Sequence, residues 1–245
     1  MPPDALSPQA WLERQPLKPS EQLFAIFSSA SAAEPFKTWQ RSITALAPSP
    51  IWADTAYAEW EAVMPYVGIV AAGSEFMAWV ATTESRDWGW LAVSSASQEA
   101  LVEHLRSLTQ ALLPNGNVVF FRFWDGRYLL SILQSADVNA TQLMPVIDRC
   151  LINGQPLDIG GSALKTARDF PWWEVSESLL KHLAAESATT RINNLMKWLS
   201  EDRPDLYEAF SERVLRHKVA SFLEMPDLPQ APKSALVDYL MTELN

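Results

Sequence analysis

The run Trp88-Gly89-Trp90-Leu91-Ala92-Val93-Ser94, together with Leu101, Leu105, Leu108 and Leu112 after it, decides the fold class. The first piece is near-continuously apolar and of strand length, as a sheet covered on both faces requires. The leucines step by 4, 3 and 4, which draws one apolar stripe along a helix. Ser95-x-x-Gln98 has the capping-box form at its start, and Pro114-Asn115-Gly116 stops it. A buried strand feeding an amphipathic helix is one unit of an alternating architecture.

The same alternation extends on both sides. Leu23 to Ser28 reads as a strand, and Pro35 suits the first turn of a helix reaching about Leu46. A second helix fits Asp54 to Val63, with Asp54 or Thr55 as N-cap. Tyr66 to Ala72 reads as a buried strand. Ser74 caps a helix in which Phe76, Trp79 and Val80 share a face. Val118 to Trp124 is a further strand, Asp125-Gly126-Arg127 opens a helix through Leu133, and 137–145 is helical. Cys150 to Ile152 is a strand entering a turn at Asn153-Gly154. Beyond Gly160-Gly161 no strand-like run appears from Glu174 onward. Helices fit 174–186, 188–200, 204–223 and 232–244, with Pro226, Pro229 and Pro232 marking a linker. The expected architecture is an α/β (α+β) N-terminal lobe with a mostly buried sheet, residues 20–165, and an all-α C-terminal lobe, residues 170–245. Residues 1–19, with five prolines, read as an extended surface leader with room for one helical turn around Trp11.

Composition narrows the function classes. The chain has 245 residues, 48% apolar and 20% charged, enough to bury a core. Its net charge of −10 speaks against nucleic acid or an anionic membrane as partner, since both need surplus Lys and Arg. Cys150 is the single cysteine, so no internal disulfide forms and a reducing compartment is expected. The start has neither a positive nor an apolar signal region. The most apolar window, Tyr66 to Ala81, is interrupted by Glu75 and falls short of a span. A soluble, cytoplasmic protein is expected.

Catalytic signatures are sparse. Neither G-x-G-x-x-G, G-x-x-x-x-G-K-[ST] nor G-x-S-x-G occurs. His104, His182 and His217 sit singly on predicted helices without a metal-ligand spacing, and Cys150 reads as a small buried hydrophobe. Neither a metal nor a cofactor is expected. Glu59 and Glu61, flanking Trp60, read as a solvated face.

Two constellations stand out. In Phe120-Phe121-Arg122-Phe123-Trp124-Asp125-Gly126-Arg127, Arg122 is a cation inside an aromatic strand, and alternation pairs it with Trp124 on one face. Such a cation must snorkel, stack or find an acid. Asp125 is the acid at hand, and it can also cap the following helix, with Arg127 as a second partner. The simplest reading is a clasp at the strand-to-helix turn. In Trp172-Trp173 two adjacent indoles cannot both face inward, so one is exposed or packs between the lobes, as an interface anchor would.

The stretch from Leu23 to about Gly160 resembles the bacterial type VI secretion effector-adaptor family, often called Tap or Tec chaperones, whose domain was long catalogued as of unknown function. Leu23-Phe24-Ala25-Ile26-Phe27 is similar to the family's "LYAL" start, and Trp52 to Tyr57 occupies the place of "LF-x-G-T". Pro65 to Val70 resembles the "GPYLV" strand, with Met64 for the preceding Gly. Trp88 to Ser95 resembles "WG-x-x-x-x-S", and Leu101, His104, Leu105 and Arg106 resemble "L-x-x-HLR". Val118 to Leu129 resembles "VLFRFYDPRVL", with Gly126 for Pro. The resemblance implies a non-enzymatic adaptor that binds one secreted effector protein in the cytoplasm and helps load it onto the VgrG spike, sometimes with a PAAR tip. By analogy the helical lobe helps choose the cargo. Trp172, Trp173, Trp198, Tyr207 and Phe210 are the candidate effector-binding residues, lining a groove between lobes. Arg122, Asp125 and Arg127 are motif residues with a structural role. Two other readings stay open: an immunity protein that binds a toxin, and a hydrolase using scattered carboxylates.

Overall fold

A computed structural model describes residues 5–42, 46–161, 168–225 and 232–242. The chain divides into two compact units, Met1–Leu179 and Leu180–Asn245. The break falls inside a long helix rather than near residue 165, where the change of texture put it.

The first unit opens with α1 (Pro8–Arg14), capped by Ser7. There follow β1 (Gln22–Ser28), α2 (Pro35–Arg41), the short β2 (Ser49–Pro50), β3 (Pro65–Ile69), α3 (Glu75–Thr82), β4 (Gly89–Ser94) and α4 (Gln98–Ser107). Next come β5 (Gln110–Leu112), β6 (Val118–Phe120), α5 (Gly126–Gln134), α6 (Ala140–Leu143), β7 (Arg149–Ile152), β8 (Gln155–Asp158) and β9 (Trp173–Glu174). Six strands form one sheet in the order β2-β3-β1-β4-β7-β8, with every neighbouring pair antiparallel. Strand and helix alternate along the chain, yet the sheet is not parallel, which places this unit on the α+β side of the expected class.

Strands β1 and β4 sit at the centre and are buried at every residue except Gln22. Their register pairs Leu23 with Val93 and Ala25 with Leu91, and these residues share one face. Trp11 of α1, Trp39 of α2 and Phe76 and Met77 of α3 cover that face. The opposite face carries Phe24, Ile26, Trp90, Ala92 and Cys150 by alternation, all fully buried. There Gln98, at the start of α4, donates to the Val67 carbonyl of β3 at 3.0 Å. Trp90 Nε1 donates to the Phe123 carbonyl at 2.9 Å, satisfying an indole N–H that burial would otherwise strand. Gly89 opens β4 at φ +143°, where a Cβ would run into the Ile26 carbonyl, so only glycine fits there.

The leader is not merely extended surface chain. Residues 8–14 are helical, and Trp11 is 2% exposed within the core. Arg149 of β7 ties down the segment between α1 and β1: it donates to Glu21 Oε2 at 2.9 Å and to the Gln15 carbonyl at 3.1 Å.

Several expectations differ from the structure for identifiable reasons. Residues 54–60 form turns, and only Glu61–Val63 is a short 3₁₀ helix, because Asp54 has φ +61°, incompatible with an N-cap. Helix α4 is capped by Ser97, not Ser95, and ends at Ser107, so Leu112 belongs to β5. Strand β6 stops at Phe120, four residues early. Helix α2 ends at Arg41; the remainder of its expected span falls partly on 43–45, outside the described residues.

In the second unit α7 (Glu177–Asp202) runs through both helices expected at 174–186 and 188–200, with no Gly or Pro between them to break it. Then α8 (Pro204–Glu208), α9 (Glu212–Leu223) and α10 (Pro232–Thr242) follow, so the helix expected over 204–223 is two. The Pro226 and Pro229 linker lies outside the described residues. Leu195, Leu199, Leu206, Leu215, Val219, Phe222, Leu236 and Leu240 form this unit's own core. Among the described residues no helix is long and apolar enough to cross a membrane.

The side chains of Glu21 and Arg149 are 3% and 8% exposed. Burial pushes the Glu21 carboxyl up, but hydrogen bonds from the Lys18 backbone and Arg149 outweigh it and hold it below the ordinary range. Glu21→Gln strands a buried guanidinium and should cost about 3 kcal/mol in urea-unfolding stability. The difference from the parent should shrink as pH falls through the depressed carboxyl pKa, where the parent loses the pair as well.

Candidate functional site

Asp125 is the junction at which the irregular segment 121–124 turns into α5. It is fully buried and caps the helix by accepting from the Arg127 backbone N–H at 3.1 Å. Its carboxylate also accepts from Arg127 side-on, Nε to Oδ1 at 3.0 Å and Nη2 to Oδ2 at 2.8 Å. Arg122 Nη2 adds a contact to Oδ2 at 3.0 Å. Both guanidiniums also lie over the Tyr128 ring, at 5.6 and 5.7 Å. Asp87 stands 3.5 Å from Arg127 Nη2. Burial pushes Asp87 up, while hydrogen bonds from Ser85 and Ser31 and the charge of Arg127 hold it below the usual carboxylate range. The Asp125 hydrogen bonds raise the Arg127 pKa further, so its charge is permanent. Arg122, Asp125 and Arg127 therefore form the expected clasp. Arg122 does not share a face with Trp124 in a strand: the strand has ended, Trp124 is buried and Arg122 is half exposed.

Helix α4 carries the His104–Leu105–Arg106 motif, and its polar members bridge to the distant α6 and to the turn at Ile51. Arg106 Nε donates to the Ile51 carbonyl at 2.7 Å, and His104 Nε2 lies 2.9 Å from the Leu143 carbonyl. Burial pushes His104 down to about 4, against the Leu143 contact and helped by the Arg168 charge. At neutral pH it is an uncharged imidazole donating to Leu143. Burial likewise pushes the Cys150 thiol up, away from reactivity.

The five candidate binding residues fall into separate places. Trp172 donates from Nε1 to Ser107 Oγ at 3.0 Å, with Arg168 4.7 Å above its ring. Trp173 lies in β9, paired in parallel with β5, its ring 4.7 Å from that of Phe121. Both are half-buried against the first unit itself. Trp198, Tyr207 and Phe210 pack at the margin of the second unit's core. Lys233 covers Trp198 at 5.0 Å and Lys218 covers Phe210 at 5.4 Å.

A different cluster is open to water. Strand β6 forms the edge of a three-stranded sheet, β6-β5-β9, and each of its residues, Val118, Val119 and Phe120, is exposed. The Phe120 ring lies 5.0 Å from Tyr57 and 5.5 Å from Trp60, itself 44% exposed. Buried Trp52 anchors these rings, 5.8 Å from Tyr57 and bonded through Nε1 to Thr109 Oγ1 at 3.1 Å. Gln110 fixes the Tyr57 hydroxyl at 3.0 Å. The result is an aromatic platform held on the core by Trp52 and Gln110. The sequence pointed to it weakly: Glu59-Trp60-Glu61 marks a tryptophan between two solvated acids. Among the described residues no group of three His, Cys, Asp or Glu is placed to hold a metal ion.

Asp125→Ala removes both the cap and the clasp, and should cost about 2–3 kcal/mol in urea unfolding. Asp125→Asn keeps the cap and should cost about 1 kcal/mol, because both arginines are half in water. For His104, whose folded pKa lies below its unfolded value, the stability it contributes is complete above about pH 6.5 and is lost as pH falls toward 4. This loss should amount to about 2–3 kcal/mol, and His104→Gln should remove that part of the acid dependence of Tm.

No curated protein and no solved structure gives a significant match to the chain. The clasp, the His104 helix and the aromatic platform at Tyr57, Trp60 and Phe120 all lie within residues 23–142, from β1 to α6; Trp172, Trp173 and the second unit lie outside that stretch. Residues 23–142, just under half of the chain, match the model of a family described as a domain of unknown function (DUF4123).

Proposed function

We propose that this protein is an adaptor that binds a secreted effector in the cytoplasm of a bacterium with a type VI secretion system and helps load it onto the VgrG spike. The match over 23–142 and the ordered motifs from Leu23 to Leu129 support the family connection, which carries that role. The observation that carries the binding function is the platform of exposed Trp60 and Phe120 with half-buried Tyr57, beside an open strand edge. Exposed aromatics in one contiguous set mark protein-binding surfaces. Three groups with the chemistry for catalysis are occupied in holding the fold: Asp125 in the clasp, His104 on Leu143, Cys150 inside the sheet. The net charge of −10 suits a protein partner better than nucleic acid or an anionic membrane.

The full chain, tagged and expressed in its own bacterium, should recover one large effector, with or without the spike protein, by mass spectrometry. A Trp60→Asp/Phe120→Asp variant with unchanged thermal unfolding should recover at least tenfold less. Recovery of no effector from cells shown to express the secretion system overturns the reading. Self-poisoning of cells deleted for this gene would instead identify an immunity protein.

A further inference from the structure

The platform's strand has an unused backbone edge. Leu113 N–H donates to the Asn117 carbonyl at 2.8 Å, and Phe121 N–H to the Thr109 carbonyl at 3.0 Å. These bonds fix the hairpin's alternation, so Ala111 and Val119 also form a hydrogen-bonded pair. The pairs Leu112–Val118 and Gln110–Phe120 then point their peptide groups outward. On the β5 side the Leu112 carbonyl does so visibly, accepting from Val175 N–H at 2.9 Å. On the β6 side the N–H and C=O of Val118 and Phe120 face outward, and no hydrogen bond reaches them among the described residues. Four backbone groups thus stand free on a strand whose side chains are all apolar and exposed.

Edge strands are normally blunted by lysine, proline, a bulge or a cover. Here Val118-Val119-Phe120 uses none of these. Such an edge is complementary to another extended segment, which supplies the missing hydrogen bonds and lays alternate side chains on the aromatic face. The charge around it narrows the occupant. Tyr57 and Trp60 come from a segment that also carries three exposed carboxylates, Asp54, Glu59 and Glu61. The cation two residues beyond β6, Arg122, is held by Asp125. A second copy of this chain would bring the same three carboxylates and another charge of −10, so self-pairing is opposed.

We infer that β6 takes up, as an added antiparallel or parallel strand, an extended apolar segment of a partner protein bordered by Lys or Arg. This rests on the adaptor reading for the identity of the partner as cargo, and on the strand edge for how it is held.

The test uses the full chain and a nine-residue peptide, Lys-Lys-Val-Thr-Val-Thr-Val-Lys-Lys, with two derivatives N-methylated at one or the other alternate set of backbone positions. Binding is read by fluorescence polarisation, and amide exchange by NMR. The parent peptide should bind and slow exchange at the Val118 and Phe120 amides at least tenfold. One methylated set should weaken binding at least tenfold while the other leaves it within threefold, because only one edge of an added strand faces β6. Replacing the lysines by glutamate should weaken binding at least tenfold. Val118→Pro removes an outward N–H without touching the β5 pairing, and should weaken binding at least tenfold.

Equal binding of both methylated peptides, no binding of the parent peptide, or no protection at Val118 and Phe120 overturns the inference. So does a dimer, by sedimentation, that Val118→Pro abolishes, since the occupant would then be a second copy. If Val118→Pro fails to fold, the peptide series alone decides. An effector recovered equally by the parent chain and a folded Val118→Pro variant sinks the strand edge and spares the adaptor reading. Strand-like peptide binding without effector recovery does the reverse.

Discussion

Two adjacent strands buried on both faces are the constraint that shapes the rest of the first unit. β1 and β4 expose only Gln22, so the chain must furnish two apolar layers, one on each side. Trp11, Trp39 and Phe76 supply the first, and their helices have little other work. The second layer contains the Trp90 indole, whose N–H has no water to turn to. It is met by the Phe123 carbonyl, which pins an irregular segment against the sheet. That pinning places Asp125, and Asp125 starts α5 and gathers both arginines. Thus the clasp is a consequence of the core, reached through one hydrogen bond.

The same pinning explains why the chain passes from exposed to buried within a single residue. Phe120 is 41% exposed, Phe121 is 7% and Phe123 is 0%. A backbone held at 123 cannot continue β6 as a flat strand, and the three residues of β6 meet water while Ala111 of its partner strand stays buried. Trp52 spans the transition, with its N–H on Thr109 inside and its ring next to Tyr57 and Phe120 outside.

Legibility in the sequence depended on how local each signal is. Ser74 before α3, Asp125 before α5 and Asn153-Gly154 between β7 and β8 are written in single residues, and each does what its chemistry dictates. The clasp was legible for the same reason. Leu101, Leu105, Leu108 and Leu112 were ambiguous, because a stripe at helical spacing does not say where the helix stops. Leu108 has already left α4, and Leu112 serves a strand. The helix expected over 54–63 failed because Asp54 adopts a left-handed backbone that no residue type announces. The platform was the least legible element. Apolar runs such as Val118 to Phe121 imply burial, and an exposed strand edge breaks that rule without any local mark. Trp172 and Trp173 illustrate the converse: the Trp pair looked like an anchor, yet Ser107 and Phe121 engage both within one unit.

A platform built outside the core has an evolutionary consequence grounded in its energetics. Removing a fully buried side chain such as Phe123 or Trp90 forfeits its transfer free energy and leaves a cavity, about 3–5 kcal/mol together. Trp60, Val118 and Phe120 keep two-fifths or more of their surface in water, so less of that free energy is at stake in folding. Their replacement therefore costs the fold less than replacement of residues in β1, β4 or α4. The backbone edge of β6 does not depend on side-chain identity at all. Under the adaptor role proposed above, this division separates a geometry of attachment set by the main chain from a specificity set by half-exposed side chains whose replacement leaves the core intact.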